Sequence, residues 1–298
     1  MSTVLGVLGG SGLYDVEALE EVEERRVSTP FGAPSCAILK GRVKGTDTTV
    51  LFLPRHGRGH RIPPSAINYR ANVCALKLLG AQALLSVSAV GSMKESIAPG
   101  DVVVVDQFID LTKRRISTFF DEHIAVHVSF ADPVCPILAG ALFEAGKRVL
   151  PGSTPGERAH QGGTYVCIEG PQFSTRAESR LYRSWGVDVI GMTNMPEAKL
   201  AREAELPFAT LALSTDYDCW HDTEEDVNVE AVVATLKRNV IHAKEIVRAL
   251  AAALPALVPR LAESPARHAL RGAIMTAKQL VPSETRSQLD WLIGPLLR

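Results

Sequence analysis

The stretch PFATLALSTDYDCW, Pro207–Trp220, sets an apolar run of strand length directly against two aspartates that flank a tyrosine. A half-exposed strand alternates apolar and polar residues; Pro207–Ser214 does not, so its pattern predicts a strand buried on both faces. Similar runs recur at Val4–Leu8, Thr49–Leu53, Ala83–Ser88, Asp101–Val105, Thr164–Ile168 and Val187–Met192. Among them lie helical patterns at Asn68–Leu79, Arg176–Trp185, Pro196–Glu205 and Asn228–Ala252. The last carries Val229, Val232, Val233 and Leu236 on one side and Lys237 and Arg238 on the other. Apolar strands followed by helices imply a sheet covered on both faces, hence an α/β fold.

With 298 residues, 46% of them hydrophobic, the chain has ample material for one large domain. Residues 1–254 read as that domain and residues 255–298 as a C-terminal helical extension of it, because Pro255, Pro259 and Pro265 break the pattern. Lys147–Gly163, rich in glycine and proline, reads as a long loop. A formal net charge of −1 without basic runs argues against nucleic acid or an anionic membrane as a partner. No stretch offers a membrane span and the glycine-broken start does not resemble a signal peptide. Five widely spaced cysteines with no CxxC read as reduced thiols of a cytoplasmic protein.

In α/β sheets ligands gather at the carboxyl ends of strands. Here those ends carry GGSGL with Ser11, PRHG with Arg55 and His56, SAVGS with Ser88, and GMTNMPE with Met192 and Thr193. Ser11, Arg55, His56, Ser88 and Thr193 are donors with no carboxylate among them, a set suited to phosphate or sulfate. GGSG lacks the Lys of a P-loop, the dinucleotide glycine spacing fails at Asp15, and Leu13 stands where a nucleophile elbow needs glycine. HGRGH has no glutamate and two glycines, so a zinc helix is not expected at His56 and His60. A single free oxyanion therefore fits better than a nucleotide. Asp216 and Asp218 call for a different partner: an acid screened from water can give a proton to a heterocyclic nitrogen. Both would point the same way if the segment stays extended; the plainer reading is an Asx-type turn.

The stretches GVLGGSGLYD, TPFGAPS, LPRHGRGHRIPPSAINYRAN, SAVGSM, PGDVVVVDQFIDLT, IEGPQFSTRAES, GMTNMPEAKLAREAE and STDYDCW, in this order, resemble the 5′-methylthioadenosine phosphorylases. These belong to the trimeric branch of the purine nucleoside phosphorylase superfamily, and the resemblance spans roughly Val4–Leu250 and fades beyond Leu254. It implies a central mixed, twisted sheet flanked by helices, and phosphorolysis of methylthioadenosine with inorganic phosphate as co-substrate and no metal or other cofactor. It implies phosphate ligands at Ser11, Arg55, His56, Ser88, the backbone of Ala89, and Thr193. Met192 would lie beneath the ribose, Phe173 against the purine, and Asp216 at N7 and the 6-amino group, with Asp218 close behind. Ser174 and Val229 would tune specificity, and His127 would reach a neighbouring subunit's 5′ pocket in a homotrimer or dimer of trimers. Serines at 11 and 88 stand where the family often has threonine, and Val90 where it has cysteine.

Three rivals remain at this level. A 6-oxopurine phosphorylase would suit asparagine better than Asp216 at the base. A nucleosidase would need a carboxylate beside an attacking water rather than Arg55 among hydroxyls. A silent binding protein would have no use for a separate phosphate site.

Overall fold

The computed structural model describes residues 3–13, 18–120, 123–152, 154–221 and 229–297. In chain order the elements are β1 (Thr3–Gly9), β2 (Leu19–Arg25), β3 (Ile38–Val43), β4 (Thr48–Pro54), α1 (Tyr69–Leu78), β5 (Ala83–Ser92), β6 (Val102–Val105) and β7 (Gln107–Asp110). There follow α2 (Pro136–Val149), β8 (Ala159–Gln161), β9 (Thr164–Cys167), α3 (Arg176–Ser184), β10 (Val189–Gly191), α4 (Asn194–Glu203), β11 (Phe208–Asp216), α5 (Val229–Ala262) and α6 (Ser283–Leu297). The strands form one mixed sheet, as expected of an α/β fold. β1 lies parallel to β4 and β5, β5 parallel to β11, and β11 antiparallel to β6.

The central strands are continuous apolar runs because they are covered on both faces. Leu84, Leu85, Val103, Leu211 and Ala212 are fully buried. α5 packs on β11 and on α2, while α4 packs on β5, β11 and α1. Local signals start the helices: Asn68 accepts from the Ala71 N–H ahead of α1, and Thr175 with Glu178 forms a capping box ahead of α3.

β5 is the strand that makes a site. It runs beside β1 as far as the Leu8–Ser86 pairing, then takes β10 as an antiparallel partner at Gly91–Ile190 and Ser92–Val189. β10 leads on through β9 to β7. The sheet therefore forks at β5, and Val87–Val90 have no ladder partner on that edge. Ala89 is the one exposed residue in an otherwise covered strand.

Several sequence expectations need correction. α5 runs through Pro255 and Pro259 to Ala262, so the expected boundary after residue 254 falls inside a helix. Pro255 has no N–H for the carbonyl of Ala251, and the hydroxyl of Thr48 donates to that oxygen instead, at 2.6 Å. Leu270, Val281, Leu289, Leu292 and Ile293 belong to the same buried cluster as β5 and β11; residues 255–298 complete the domain's core. The expected loop Lys147–Gly163 holds the end of α2 and all of β8. β2, β3, β7, β8 and α2 had no counterpart in the sequence reading. All five cysteines are unpaired thiols. Among the described residues no helix is long and apolar enough to cross a membrane.

Candidate active site

The fork opens into a cavity of about 400 Å³ lined by residues of β5, β10 and β11, by those that follow the ends of β1 and β4, and by Leu236 and Val240 of α5. Arg55, His56, Ser88, Ala89, Phe173, Ser174, Met192, Thr193, Asp216 and Asp218, all chosen from sequence, line it together. His127 does not; it is exposed and its N–H donates to the Ala273 carbonyl at 2.9 Å. Ser11 opens a short 3-10 turn whose Gly12 and Leu13, with Gly10 before it, line the cavity. The side chains of Ser11 and Val229 lie outside the described residues.

Arg55, 2% exposed, follows the end of β4 and turns its guanidinium beneath the sheet edge. Nε donates to Glu197 Oε1 at 2.6 Å, Nη1 to the Val87 carbonyl at 2.8 Å, and Nη2 to the Leu8 carbonyl and Ser86 Oγ at 2.9 and 2.8 Å. Ser86 Oγ in turn donates to Glu197 Oε2 at 2.6 Å. Sequence reading had this end free of carboxylates; a fully buried Glu197 on α4 corrects that. Arg55 therefore enters the site as half of a neutral pair, with one Nη1–H left without a partner among the described residues.

Hydroxyls supply the other donors. Ser88 Oγ lies 3.1 Å from both Thr193 Oγ1 and Tyr165 Oη. Burial pushes the Tyr165 phenol up to about 12, so it stays protonated. Burial and the neighbouring Arg55 push His56 down to about 4, so its imidazole is neutral. Its ring stacks on His60 at 4.1 Å. The Met192–Thr193 turn is held from behind by Arg115, whose Nη1 donates to the carbonyls of Met192 and Met195 at 2.6 Å each. Arg115 Nε in turn reaches Glu169 at 3.2 Å.

Three residues along β5 from Ser88, about 10 Å at strand rise, Gly91 faces the acids. A Cβ on Gly91 would sit 3.0 Å from Asp216 Oδ1, so any side chain there would press on the carboxyl. β11 ends at Asp216 after a bulge between Ser214 and Asp216. Thr215 Oγ1 donates to Asp216 Oδ2 at 2.6 Å and the Asp218 N–H to Asp216 Oδ1 at 2.8 Å. The extended geometry expected for this pair does not occur: Asp218 has φ +54°, and the segment is an Asx-type turn. Both carboxyls nevertheless line the cavity. Asp218 accepts from Ser179 Oγ, and burial with the Asp216 charge beside it holds its carboxyl above the usual range. Phe173, 53% exposed, stands at the rim, and Cys219 Sγ touches the Ser174 carbonyl at 3.4 Å.

Glu197, Ser86, Tyr165 and Arg115 were missed from sequence. Glu197 stands in the quoted GMTNMPE and Arg115 just past PGDVVVVDQFIDLT, which was the only signal for either. Among the described residues no group of three or more His, Cys, Asp or Glu is placed to hold a metal ion.

The family model of the phosphorylase superfamily matches residues 4–252. The chain is 51% identical to the S-methyl-5′-thioadenosine phosphorylase of Geobacter sulfurreducens, over 99% of both chains. It is 52% identical to that of Thermosynechococcus vestitus over the full length of both. A crystal structure of methylthioadenosine phosphorylase from an antarctic soil metagenomic library superposes with a TM-score of 0.89 at 45% identity, covering 98% of this chain and 99% of that one. Methylthioadenosine phosphorylase from Schistosoma mansoni in complex with adenine gives 0.84 at 35% identity, covering 92% and 99%. The chain belongs to the phosphorylase superfamily and, within it, to the S-methyl-5′-thioadenosine phosphorylase family.

Proposed function

We propose that this chain catalyses phosphorolysis of 5′-methylthioadenosine to adenine and 5-methylthioribose 1-phosphate, a pentosyl transfer. The observation that carries the reading is a single cavity in which oxyanion donors at Arg55, Ser88 and Thr193 share a wall with the Asp216–Asp218 pair. Neither group alone would call for the other; a nucleoside and a phosphate together call for both.

Cleavage of the glycosidic bond leaves negative charge on the purine and positive charge on an oxocarbenium-like sugar. Asp216 stabilises the leaving base at N7, while phosphate held by Arg55, the hydroxyls and the Ala89 backbone offsets the sugar cation and attacks C1′. In net, the phosphate gives up its O–H as the ester forms and the base gains an N–H. Glu197 is a poor base for a water, because it is fully buried, does not line the cavity, and its oxygens accept from Arg55 and Ser86. This favours phosphorolysis over hydrolysis.

Inorganic phosphate is the co-substrate, with no metal or organic cofactor. The assembly is a homotrimer or dimer of trimers in which His127, exposed and outside its own chain's cavity, serves a neighbour. The enzyme works in the cytoplasm, in methionine and purine salvage; the five unpaired thiols fit a reducing compartment. The test is kcat/KM for methylthioadenosine, adenosine, inosine and methylthioinosine, with and without phosphate. Methylthioadenosine is expected to lead, with no turnover in phosphate-free buffer. Phosphate-independent turnover, or a lead for inosine, would overturn the reading.

A further inference from the structure

Oxyanions of similar size differ in one respect that a buried site can sense. Near neutral pH hydrogenphosphate carries an O–H, whereas sulfate carries none. A site made only of donors cannot read that difference, but a site that also presents an acceptor can, because an acceptor facing an unprotonated anion is a repulsive contact.

His56 has the geometry of such an acceptor. Its Nδ1 lies 2.8 Å from the Ile62 carbonyl oxygen. A carbonyl oxygen only accepts, so Nδ1 carries the ring proton and Nε2 keeps a lone pair. Nε2 has no partner among the described residues, and the ring, 7% exposed, lines the cavity beside Arg55 and Ser88. The charged and titratable groups around it are Arg55 next in the chain, His60 stacked at 4.1 Å and Arg115; Glu197 is engaged by Arg55. Burial and the Arg55 and Arg115 cations oppose a positive charge on the ring, consistent with its depressed basicity.

We propose that His56 selects hydrogenphosphate over unprotonated oxyanions such as sulfate, its neutral Nε2 accepting the hydrogen bond that the phosphate O–H donates. The inference rests on the phosphate reading of this part of the cavity. Its proton balance is explicit. Hydrogenphosphate arrives with the proton that satisfies Nε2, so nothing is exchanged with solvent. Sulfate binds without repulsion only when His56 first takes one proton from the buffer and then donates it from Nε2–H.

Isothermal titration of the full chain with inorganic phosphate and with sulfate, each in two buffers of different ionisation enthalpy, counts those protons. At about pH 8, where His56 is neutral, phosphate is expected to bind with about no proton uptake, whereas sulfate should bind far more weakly and take up protons increasingly as the pH is lowered. Sulfate affinity should then rise about tenfold for each pH unit lowered. In His56→Gln, whose amide can donate as well as accept, the preference for phosphate should shrink and the proton uptake with sulfate should vanish. Equal proton counts for the two anions in the unaltered chain would overturn the selection. Failure of both anions to bind would instead sink the phosphate reading, and this inference with it.

Discussion

Around Ser88, the cavity wall is made of strands from the middle of the sheet, and its polar groups are already joined to one another. Arg55 is fixed by Glu197, Ser86 and two carbonyls, and Ser88 is in contact with Tyr165 and Thr193. Around Gly91, the wall is made of a strand terminus and a turn: Asp216 closes β11, Asp218 sits at positive φ, and Phe173 is more than half exposed. The first region resembles a piece of core that happens to face a cavity; the second is a rim. The difference teaches where mutations should act. Changes around Ser88 disturb folding and anion binding together, whereas changes around Gly91 should alter chemistry and base choice while sparing the fold.

The largest effect is expected at the rim. Asp216→Ala removes the carboxyl proposed to meet the leaving base and should lower kcat with methylthioadenosine by about 10²–10⁴-fold, with the melting temperature and the KM for phosphate near their original values. Asp216→Asn should in addition shift preference towards 6-oxopurines, since the amide can donate to O6. Steady-state kinetics on the four nucleosides beside a thermal melt would check both. A variant with full activity, or one that has lost its fold, breaks the contrast between the two regions.

Glu197→Ala tests the opposite prediction. It leaves a buried guanidinium unpaired, at a cost of about 3–5 kcal/mol, and the KM for phosphate should rise more than kcat falls, because Arg55 loses its fixed direction. Denaturant unfolding and phosphate titration would measure the two. If stability holds and only turnover drops, Glu197 belongs to the chemistry and not to the scaffold.

These two regions were also unequally legible in the amino-acid sequence. β11 and β5 could be read because a strand covered on both faces must be apolar throughout, and strand ends in such sheets are where ligands gather. That Arg55, Ser88, Thr193 and Asp216 would share one cavity wall was thus legible from position and residue type. Glu197 was not, since its partner lies 142 residues away and it stands in a short helix buried almost all round, where no polar face marks an acid that has a buried partner. Tyr165 and Ser86 hide within strands, where a polar residue gives no sign of facing a cavity. β2, with the sequence LEEVEER, was unreadable as a strand because its pairing rests on charges: Glu23 meets Lys40 and Glu20 meets Arg42 across to β3. The turn at Asp218 depended on whether Asp216 Oδ1 would reach the Asp218 N–H, a choice that sequence offered without deciding.

The smallest expected effect lies away from both regions, in the helix whose prolines misled the domain boundary. Among the described residues α5 lines the cavity through Leu236 and Val240, and Ala251 is about three turns beyond Val240. Thr48 is fully buried, and its hydroxyl serves the Ala251 carbonyl that Pro255 leaves without a helical donor. Thr48→Val keeps the shape and strands that oxygen, so unfolding free energy should fall by about 1–3 kcal/mol with kcat/KM unchanged. Because Pro255→Ala gives the helix back an N–H at the right position, the cost of Thr48→Val should shrink in a Pro255→Ala background. A double-mutant cycle by urea unfolding reads that coupling directly. Equal costs in the two backgrounds would mean that the hydroxyl is not what lets the helix pass through proline.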